Sequence, residues 1–212
     1  KVYLADHDIT AEITPADRAA SMRFTYPAGE TSAVVIDAYD GGSYIRILPE
    51  LQAVVGYTTK NCGGVPENFR NWFVIRFDKA FESMMLYDGP EKGIGEALEF
   101  EGEHVLASVG FRTRRNETVN VRTASSFISL EQAWLNLEEV GEKSFDEVTA
   151  DAKDRWNEVL SRIQVGGGSE EQFRTFYSCL YRATLFPRKF YEIGPDGNPY
   201  HYSPYNGKIC EG

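Results

Sequence analysis

Carboxylates are the most abundant residues here that could do chemistry, since the sequence holds 32 Asp and Glu but only three His. Two carboxylates of different pKa can act as general acid and base, for example in cleaving a glycosidic bond. Several of these acidic residues stand where turns or helix faces explain them, and the 32 carboxylates offer too many possible pairs to choose among. Asp40, Asp88 and Asp196 each precede a glycine in a turn pattern, and Glu138 and Glu139 lie on a predicted helix face. The sequence therefore nominates no catalytic pair.

Patterns for metal ions and nucleophiles are equally sparse. In Asp6-His7-Asp8, adjacent strand residues point to opposite faces, so at most the two aspartates converge, and a surface strand or turn is the simpler interpretation. No Walker loop, dinucleotide fingerprint, HExxH or GxSxG motif occurs. The three cysteines form no CxxC pair and have no His at zinc-finger spacing, so they indicate neither a zinc site nor a disulfide framework: Cys62, Cys179 and Cys210. No metal ligand is predicted.

Aromatic side chains are concentrated near the end of the sequence. Residues 173–205 contain ten of them, and the first five have the spacing of a helix core. The later five stand in predicted loop sequence, beside polar residues of the types that hydrogen-bond a sugar while a ring stacks on it. A loop packed beneath another element is the alternative. The candidate substrate-binding residues are His201, Tyr202, Tyr205 and Asn206.

The elements that must position these residues change character near residue 128. Before it, short alternating runs end at turn signals, such as the run through Val34 and Ile36 that ends at Asp40-Gly41-Gly42. Phe73, Ile75 and Phe77 share one face of a strand, and the opposite face is expected to meet solvent. Nine or ten such strands without intervening helices predict an antiparallel β-sandwich over residues 1–128.

After residue 128 the apolar period becomes helical. Three serine-started capping boxes mark helix starts: Ser129 with Gln132, Ser144 with Glu147, and Ser169 with Gln172. The apolar stripes of the three helices are wide enough that burial is expected, and Pro187 is expected to end the third helix. The predicted organisation is linker helices over 129–165, a glycine hinge near 166, and the start of an all-α region over 166–212.

Charge and hydropathy exclude two classes of partner. A net charge of −10 disfavours binding to nucleic acid or to an anionic membrane surface. No window approaches the roughly 18 apolar residues of a membrane span. The sequence begins inside a strand pattern without an initiator Met and stops in turn-rich sequence with no closing helix or strand, so we expect a piece of a longer polypeptide.

Several runs, in chain order, carry a family resemblance. The first is ITAEIT at 9–14, followed by Arg18, and it matches a pattern I-x-A-E-L-T with a later Arg. The others are residues 23–27, 71–81, 121–133 with Asn136-Leu137, Trp156-Asn157, and 176–182 with Pro187-Arg188. Together they resemble glycoside hydrolase family 92, the bacterial exo-acting α-mannosidases.

The resemblance implies a secreted or periplasmic two-domain enzyme. Its fold would be an N-terminal β-sandwich of the supersandwich type, linker helices and an (α/α)6 barrel, with the active site between the domains. Family members are similar in using calcium, inverting the anomeric centre and trimming terminal mannose from α-mannosides such as N-glycans. A Glu would protonate the leaving oxygen while an Asp activates water. The implied partners are α-mannoside glycans and the remainder of the polypeptide.

The sequence departs from the family pattern at both ends. The family's D-P-F-I-G-T and G-F-S-H-T-H runs have no counterpart before Lys1, and its F-W-D-T-x-R motif is expected beyond Gly212. The catalytic acid, the base and the calcium ligands are expected later still. We therefore assign no catalytic or metal residue and expect the chain alone to be inactive. A non-catalytic carbohydrate-binding or structural β-sandwich module is the alternative.

Overall fold

The computed structural model describes all residues from 1 to 212, which form twelve strands and three α-helices. The strands are β1 Val2–Leu4, β2 Ile9–Pro15, β3 Ala19–Tyr26, β4 Gly29–Leu48, β5 Ala53–Thr58, β6 Asn71–Phe77, β7 Ser83–Asp88, β8 Glu99–Thr113, β9 Glu117–Ser126, β10 Glu192–Ile193, β11 Pro199–Tyr202 and β12 Ile209–Glu211. The helices are α1 Leu130–Leu137, α2 Phe145–Leu160 and α3 Glu170–Ala183. None of the three helices combines the length and the apolar character needed to cross a membrane.

Strands β1 to β9 form one antiparallel sheet in the order β1-β2-β3-β9-β6-β5-β4-β8-β7. Phe77 on β6 and Phe111 on β8 are three strands apart in that order, which is about 14 Å in a flat sheet. Their ring centroids are only 5.7 Å apart. The sheet therefore folds over along its long strands and closes on a core of 14 buried residues. The predicted antiparallel β-sandwich is confirmed, and its nine strands fall within residues 1–128.

The turn predicted at Asp40-Gly41-Gly42 is wrong, because β4 continues through it. The pairing of β4 with β8 shifts register on both sides of Asp40, which marks a bulge. Gly41 and Gly42 adopt φ of 93° and 104°, a region that glycine enters without steric cost. The glycines thus bend a continuous strand, and a sequence pattern does not distinguish such a bulge from a turn.

The outer face of β6 is covered, although the alternation predicted that it meets solvent. Val74 is fully buried there, in a second core cluster that also contains Ala133 and Leu137 of α1. The alternation correctly placed Phe73, Ile75 and Phe77 on the opposite face, against the main core. Both faces of the strand carry buried apolar residues, because α1 packs on the side that period two assigns to water.

The three predicted helices are present, but their starts differ. Ser144 and Ser169 form complete capping boxes at α2 and α3. At α1 the Ser129 hydroxyl accepts from the backbone N–H of Gln132, whereas the Gln132 side chain turns inward and bonds elsewhere. The capping box at α1 is therefore only half formed, because the Gln132 amide donates to Asn136 and to the carbonyl of Ile193 instead.

The apolar stripe of α3 is not buried, contrary to expectation. No residue of α3 is buried, and the helix ends at Ala183, four residues before Pro187. It contacts α2 through the rings of Tyr181 and Trp156, whose centroids are 4.6 Å apart. The residues that follow were predicted as loops with no closing strand, but β10, β11 and β12 form a small antiparallel sheet. Strands of two to four residues are too short to show alternation.

Candidate functional site

Two of the runs that carry the family resemblance, the one with Arg18 and the one with Asn136, meet at the junction of the sandwich, α1 and β10. Arg18 lies in the turn between β2 and β3, and its Nη1 donates to Oε1 of Glu139 at 2.6 Å. Its backbone N–H donates to the other oxygen of Glu139 at 2.7 Å, and its Nε donates to the carbonyl of Tyr191 at 2.9 Å. One arginine thus ties the sandwich to the turn that follows α1 and to the segment entering β10. Charge-assisted bonds of this kind are among the stronger contacts in proteins.

Glu192, the first residue of β10, places a carboxylate inside this junction. The residue is 5% exposed. Its Oε1 accepts from the backbone N–H of Phe127 at 2.8 Å, and its Oε2 accepts from Nδ2 of Asn136 at 2.7 Å. Sequence reasoning missed Glu192, because it stands among aromatic residues in predicted loop sequence with no motif around it. Gln132 and Asn136 belong to one of the runs that carry the family resemblance, and they are the sequence signal that points to this junction.

Gln132 and Asn136 complete the buried network. Nε2 of Gln132 donates to Oδ1 of Asn136 at 3.0 Å and to the carbonyl of Ile193 at 2.8 Å. Nδ2 of Asn136 also donates to the carbonyl of Ser125 at 2.8 Å. Buried polar groups that are satisfied in this way hold their elements in one arrangement. The network therefore fixes β10 against α1 and β9, and it serves to position rather than to react.

A second ion-pair group lies beside Arg18. The carboxylate of Asp17 is 3.1 Å from Nη2 of Arg155 and 2.8 Å from Nζ of Lys189. Partial burial raises the pKa of Asp17, but the Lys189 hydrogen bond and the charges of Arg155 and Lys189 outweigh it, and the pKa falls below its usual value. Asp17 thereby links the sandwich to α2 and to the segment before β10.

The four predicted sugar-binding residues all lie on the β11–β12 hairpin, in different environments. Tyr202 is 4% exposed, its hydroxyl donates to Oδ1 of Asn68 at 3.1 Å, and its ring meets Phe69 edge-on at 5.9 Å. Nδ1 of His201 is 2.6 Å from the carbonyl oxygen of Gly212. Tyr202 and His201 are thus already engaged within the protein.

Tyr205 and Asn206 lie at the tip of the same hairpin. Tyr205 is 95% exposed, so its ring is free to stack on a ligand. Asn206 is exposed, and its Oδ1 accepts from the backbone N–H of Lys208 at 3.0 Å, which shapes the turn. The structure brings the four residues onto one element but presents only these two outward. Sugar binding by them stays a prediction.

The chain does not provide a calcium site. Its His, Cys, Asp and Glu side chains form no group of three or more that could hold a metal ion. Ca²⁺ takes six to eight oxygen ligands, which the junction does not supply, since its carboxylates already accept from protein donors. We therefore derive no chemical step through calcium from this chain.

Comparison with known protein families covers nearly the whole chain. The model described as the glycosyl hydrolase family 92 N-terminal domain matches residues 1–126. The model for the family 92 catalytic domain matches residues 132–212. A curated protein of Arthroderma benhamiae, described as an uncharacterized secreted glycosidase, is 36% identical over 77 residues, which are 34% of this chain and 10% of that protein.

Solved structures agree with the family models. A family GH92 inverting mannosidase from Bacteroides thetaiotaomicron VPI-5482 is 39% identical, with a TM-score of 0.92 over 97% of this chain and 28% of that one. A family GH92 α-mannosidase from Bacteroides thetaiotaomicron, solved with mannoimidazole, is 25% identical, with a TM-score of 0.81 over 99% of this chain and 29% of that one. The chain therefore spans less than a third of each of these structures.

Proposed function

This chain belongs to glycosyl hydrolase family 92, and from that premise we propose that the protein containing it is an α-mannosidase that removes terminal mannose from α-mannosides of the N-glycan type. One observation carries the proposal. Sandwich, linker helices and the start of the catalytic domain superpose together on a family mannosidase over 97% of the chain. The match of residues 132–212 to a catalytic domain argues against a stand-alone binding or structural module.

We propose an inverting mechanism for the complete enzyme. A carboxylic acid protonates the leaving oxygen while a second carboxylate activates a water on the opposite face of the sugar. Both carboxylates, and the residues that hold calcium, belong to parts of the protein outside this chain. On this proposal the 212 residues alone do not turn over substrate. Secretion or export to the periplasm fits a relative described as a secreted glycosidase.

The role of this chain in that enzyme is to hold β10 and the β11–β12 hairpin in place. Arg18 and Glu192 fix β10, and hence the hairpin with Tyr205 and Asn206, against the sandwich. A second surface, formed by the apolar side of α3 and the neighbouring Phe186, stays uncovered here, and Phe186 is 68% exposed. We assign the remainder of the polypeptide as the partner of this surface. The hairpin would then lie beside the catalytic helices, where its exposed tyrosine can meet an α-mannoside glycan.

The test compares the full-length protein with the 212-residue chain on an aryl α-mannoside in the presence of calcium. Full-length protein should release mannose, and NMR should show the β-anomer first, as inversion requires. The chain alone should give no more product than buffer. Failure of the full-length protein to cleave any α-mannoside would overturn the proposed activity, and turnover by the chain alone would overturn the division of roles.

A further inference from the structure

A groove of about 540 Å³ lies between the outer face of the sheet and the loop that joins α1 to α2. Arg76 is two residues from Val74, and Val74 is buried beneath α1 on the outer face of β6. Because side chains two residues apart in a strand share a face, Arg76 lies on the floor of the groove, as does Arg122 beside it on β9. The lining is almost entirely polar and charged, so the groove suits a polar ligand.

Arg76 and Arg122 bring two positive charges together on this floor, because they are direct cross-strand partners. Like charges directly opposite each other destabilise a sheet, so an anion between them is favourable. Glu142, in the loop above, supplies one carboxylate for the two arginines. Its Oε1 is 3.4 Å from Nη1 of Arg76, and its Oε2 is 2.9 Å from Nη1 of Arg122. The pair therefore carries one positive charge more than its carboxylate compensates.

The Glu142 side chain is held only weakly in this position. It is 80% exposed, and the two arginines are its only partners. Exposed ion pairs contribute little to stability, because water screens the charges and holding long side chains in one geometry costs entropy. The backbone of the turn is fixed separately, since the N–H of Lys143 donates to the carbonyl of Val140 at 3.2 Å. The carboxylate can therefore swing away from the arginines while the turn keeps its shape.

Both guanidinium groups keep most of their N–H donors free. Nη1 is the only nitrogen of Arg76 or Arg122 with a partner in the protein, so the N–H groups on Nε and Nη2 have no acceptor there. Ser21 adds a hydroxyl, because it is the cross-strand partner of Arg122 on β3. Ser21 is 2% exposed, lines the groove and makes no side-chain hydrogen bond within the protein. Several donors thus lie side by side without an acceptor from the chain.

Arg23, the third arginine of the groove, is already engaged within the protein. Its Nε donates to Oε2 of Glu12 at 3.0 Å, and its Nη1 donates to both oxygens of Asp146 at 3.1 and 3.2 Å. The groove also contains the carboxylate of Asp78, which accepts from the backbone N–H of Asn120 at 2.8 Å and from its Nδ2 at 2.6 Å. These carboxylates repel an extended polyanion, so the arginine pair suits one compact anionic group.

We propose that Arg76, Arg122 and Ser21 form a binding site for a single phosphate group. Bound phosphate takes the place of the Glu142 carboxylate. The planar fork of arginine matches the oxygens of a phosphate, and hydrogen bonds between ions are stronger than neutral ones. Above its second pKa a phosphate group carries about two negative charges, which compensate both arginines, whereas Glu142 compensates one. The source is free phosphate or the phosphate ester of a sugar, and the site does not depend on the proposed mannosidase activity.

The experiment titrates inorganic phosphate into the full-length protein in calcium-free buffer at constant ionic strength, and it follows binding by the phosphorus NMR line width. Arg76→Ala and Arg122→Ala should each weaken binding about tenfold, the usual effect of losing a hydrogen bond to a charged group. Glu142→Gln should strengthen binding about two- to fivefold, because it removes the competing negative charge. The matched control is Arg112→Ala, an exposed arginine paired with Glu30 outside the groove, which should leave the affinity unchanged.

Glu142→Gln keeps the test independent of folding, because an 80% exposed side chain adds nothing to either core cluster. Equal or weaker phosphate binding by Glu142→Gln, or unchanged affinity in both arginine variants, would overturn the site.

Competition experiments identify the source of the phosphate group. A hexose phosphate that binds more tightly than inorganic phosphate identifies a sugar ester as the ligand, and weaker binding identifies free phosphate. The same hexose without its phosphate should not displace inorganic phosphate. Displacement by the unphosphorylated hexose would mean that the groove recognises the sugar ring, and it would overturn the proposal.

Discussion

Helices α1 and α3 carry similar apolar stripes, but the stripe of α1 is buried and that of α3 is not. Helix α1 packs Ala133 and Leu137 onto the sandwich, where both are buried with Val74. Helix α3 carries Phe173, Phe176 and Leu180 at the same spacing, yet no residue of α3 is buried. An amphipathic pattern predicts a helix and a covered face, but it does not say which partner covers it. For α1 the partner is in this chain, and for α3 we propose that it is the rest of the catalytic domain.

The largest expected change in the free energy of unfolding follows from this difference in burial. Phe111 is 1% exposed and packs against the rings of Phe77 and Phe81. Phe111→Ala should lower the free energy of unfolding by about 3–5 kcal/mol, measured by urea denaturation of the 212-residue chain. Phe176→Ala on the half-covered α3 should lower the free energy of unfolding by less than about 1 kcal/mol in the same measurement, because the Phe176 side chain buries little apolar surface in this chain.

The complete protein sharpens this comparison. If the catalytic domain covers α3, Phe176→Ala should cost several times more in the full-length protein than in the 212-residue chain, while the cost of Phe111→Ala should stay the same. Equal costs for Phe176→Ala in the two forms would contradict the proposed partner of α3.

A strand, a bulge and a buried carboxylate show how much of the structure the sequence alone can predict. The alternation of Phe73, Ile75 and Phe77 correctly placed their shared face on the core, because period two follows directly from strand geometry. The bulge at Gly41 was predicted as a turn, since both need positive φ and only the pairing with β8 tells them apart. Glu192 gave no pattern at all, because its partners, Asn136 on α1 and Phe127 just after β9, are more than 50 residues away. Long-range partners therefore account for most of what the sequence did not predict.

The junction predicts the second largest effect. Asn136→Ala removes the donor to Oε2 of Glu192 and to the carbonyl of Ser125, and it leaves the Glu192 carboxylate buried without this partner. The expected loss is about 1–3 kcal/mol in unfolding free energy. Asn157→Ala is the matched control, an exposed asparagine in α2, and it should change stability by no more than about 0.5 kcal/mol.

A double-mutant cycle tests whether Asn136 acts through Glu192. Asn136→Ala combined with Glu192→Ala should cost less than the sum of the two single substitutions, because each single change leaves the other group unpaired. Strict additivity would contradict the network and reduce Asn136 to local packing.

Loss of a helix N-cap is expected to change stability less, and its consequence should differ between α1 and α2. Ser144→Ala removes the hydroxyl that accepts from the backbone N–H of Glu147, while the backbone N–H of residue 144 can still donate to the Glu147 carboxylate. Helix α2 has only Val148 buried. The expected cost is about 1 kcal/mol. It should appear as faster hydrogen exchange in the first turn of α2, with little change in the urea midpoint, because α2 adds little to the core. Ser129→Ala should instead shift the urea midpoint, since α1 belongs to the second core cluster. The reverse outcome would show that α2, not α1, is coupled to global unfolding.

The smallest effect concerns charge, which links the later region to the sandwich through Asp17, Arg155 and Lys189. The pKa of Asp17 lies below its usual 3.8, so its contribution to stability is present above the unfolded value and is lost as the pH falls through the folded value. Asp17→Asn should therefore lower the Tm modestly at pH 6, and the difference from wild type should shrink as the pH falls below 3.8 and through the lowered folded pKa. Added salt at pH 6 should shrink the same difference, because the ion pairs are partly exposed. A Tm difference that persists at low pH would mean that Asp17 contributes through its shape and backbone rather than through its charge, and the docking of α2 would then rest on packing, as that of α1 does.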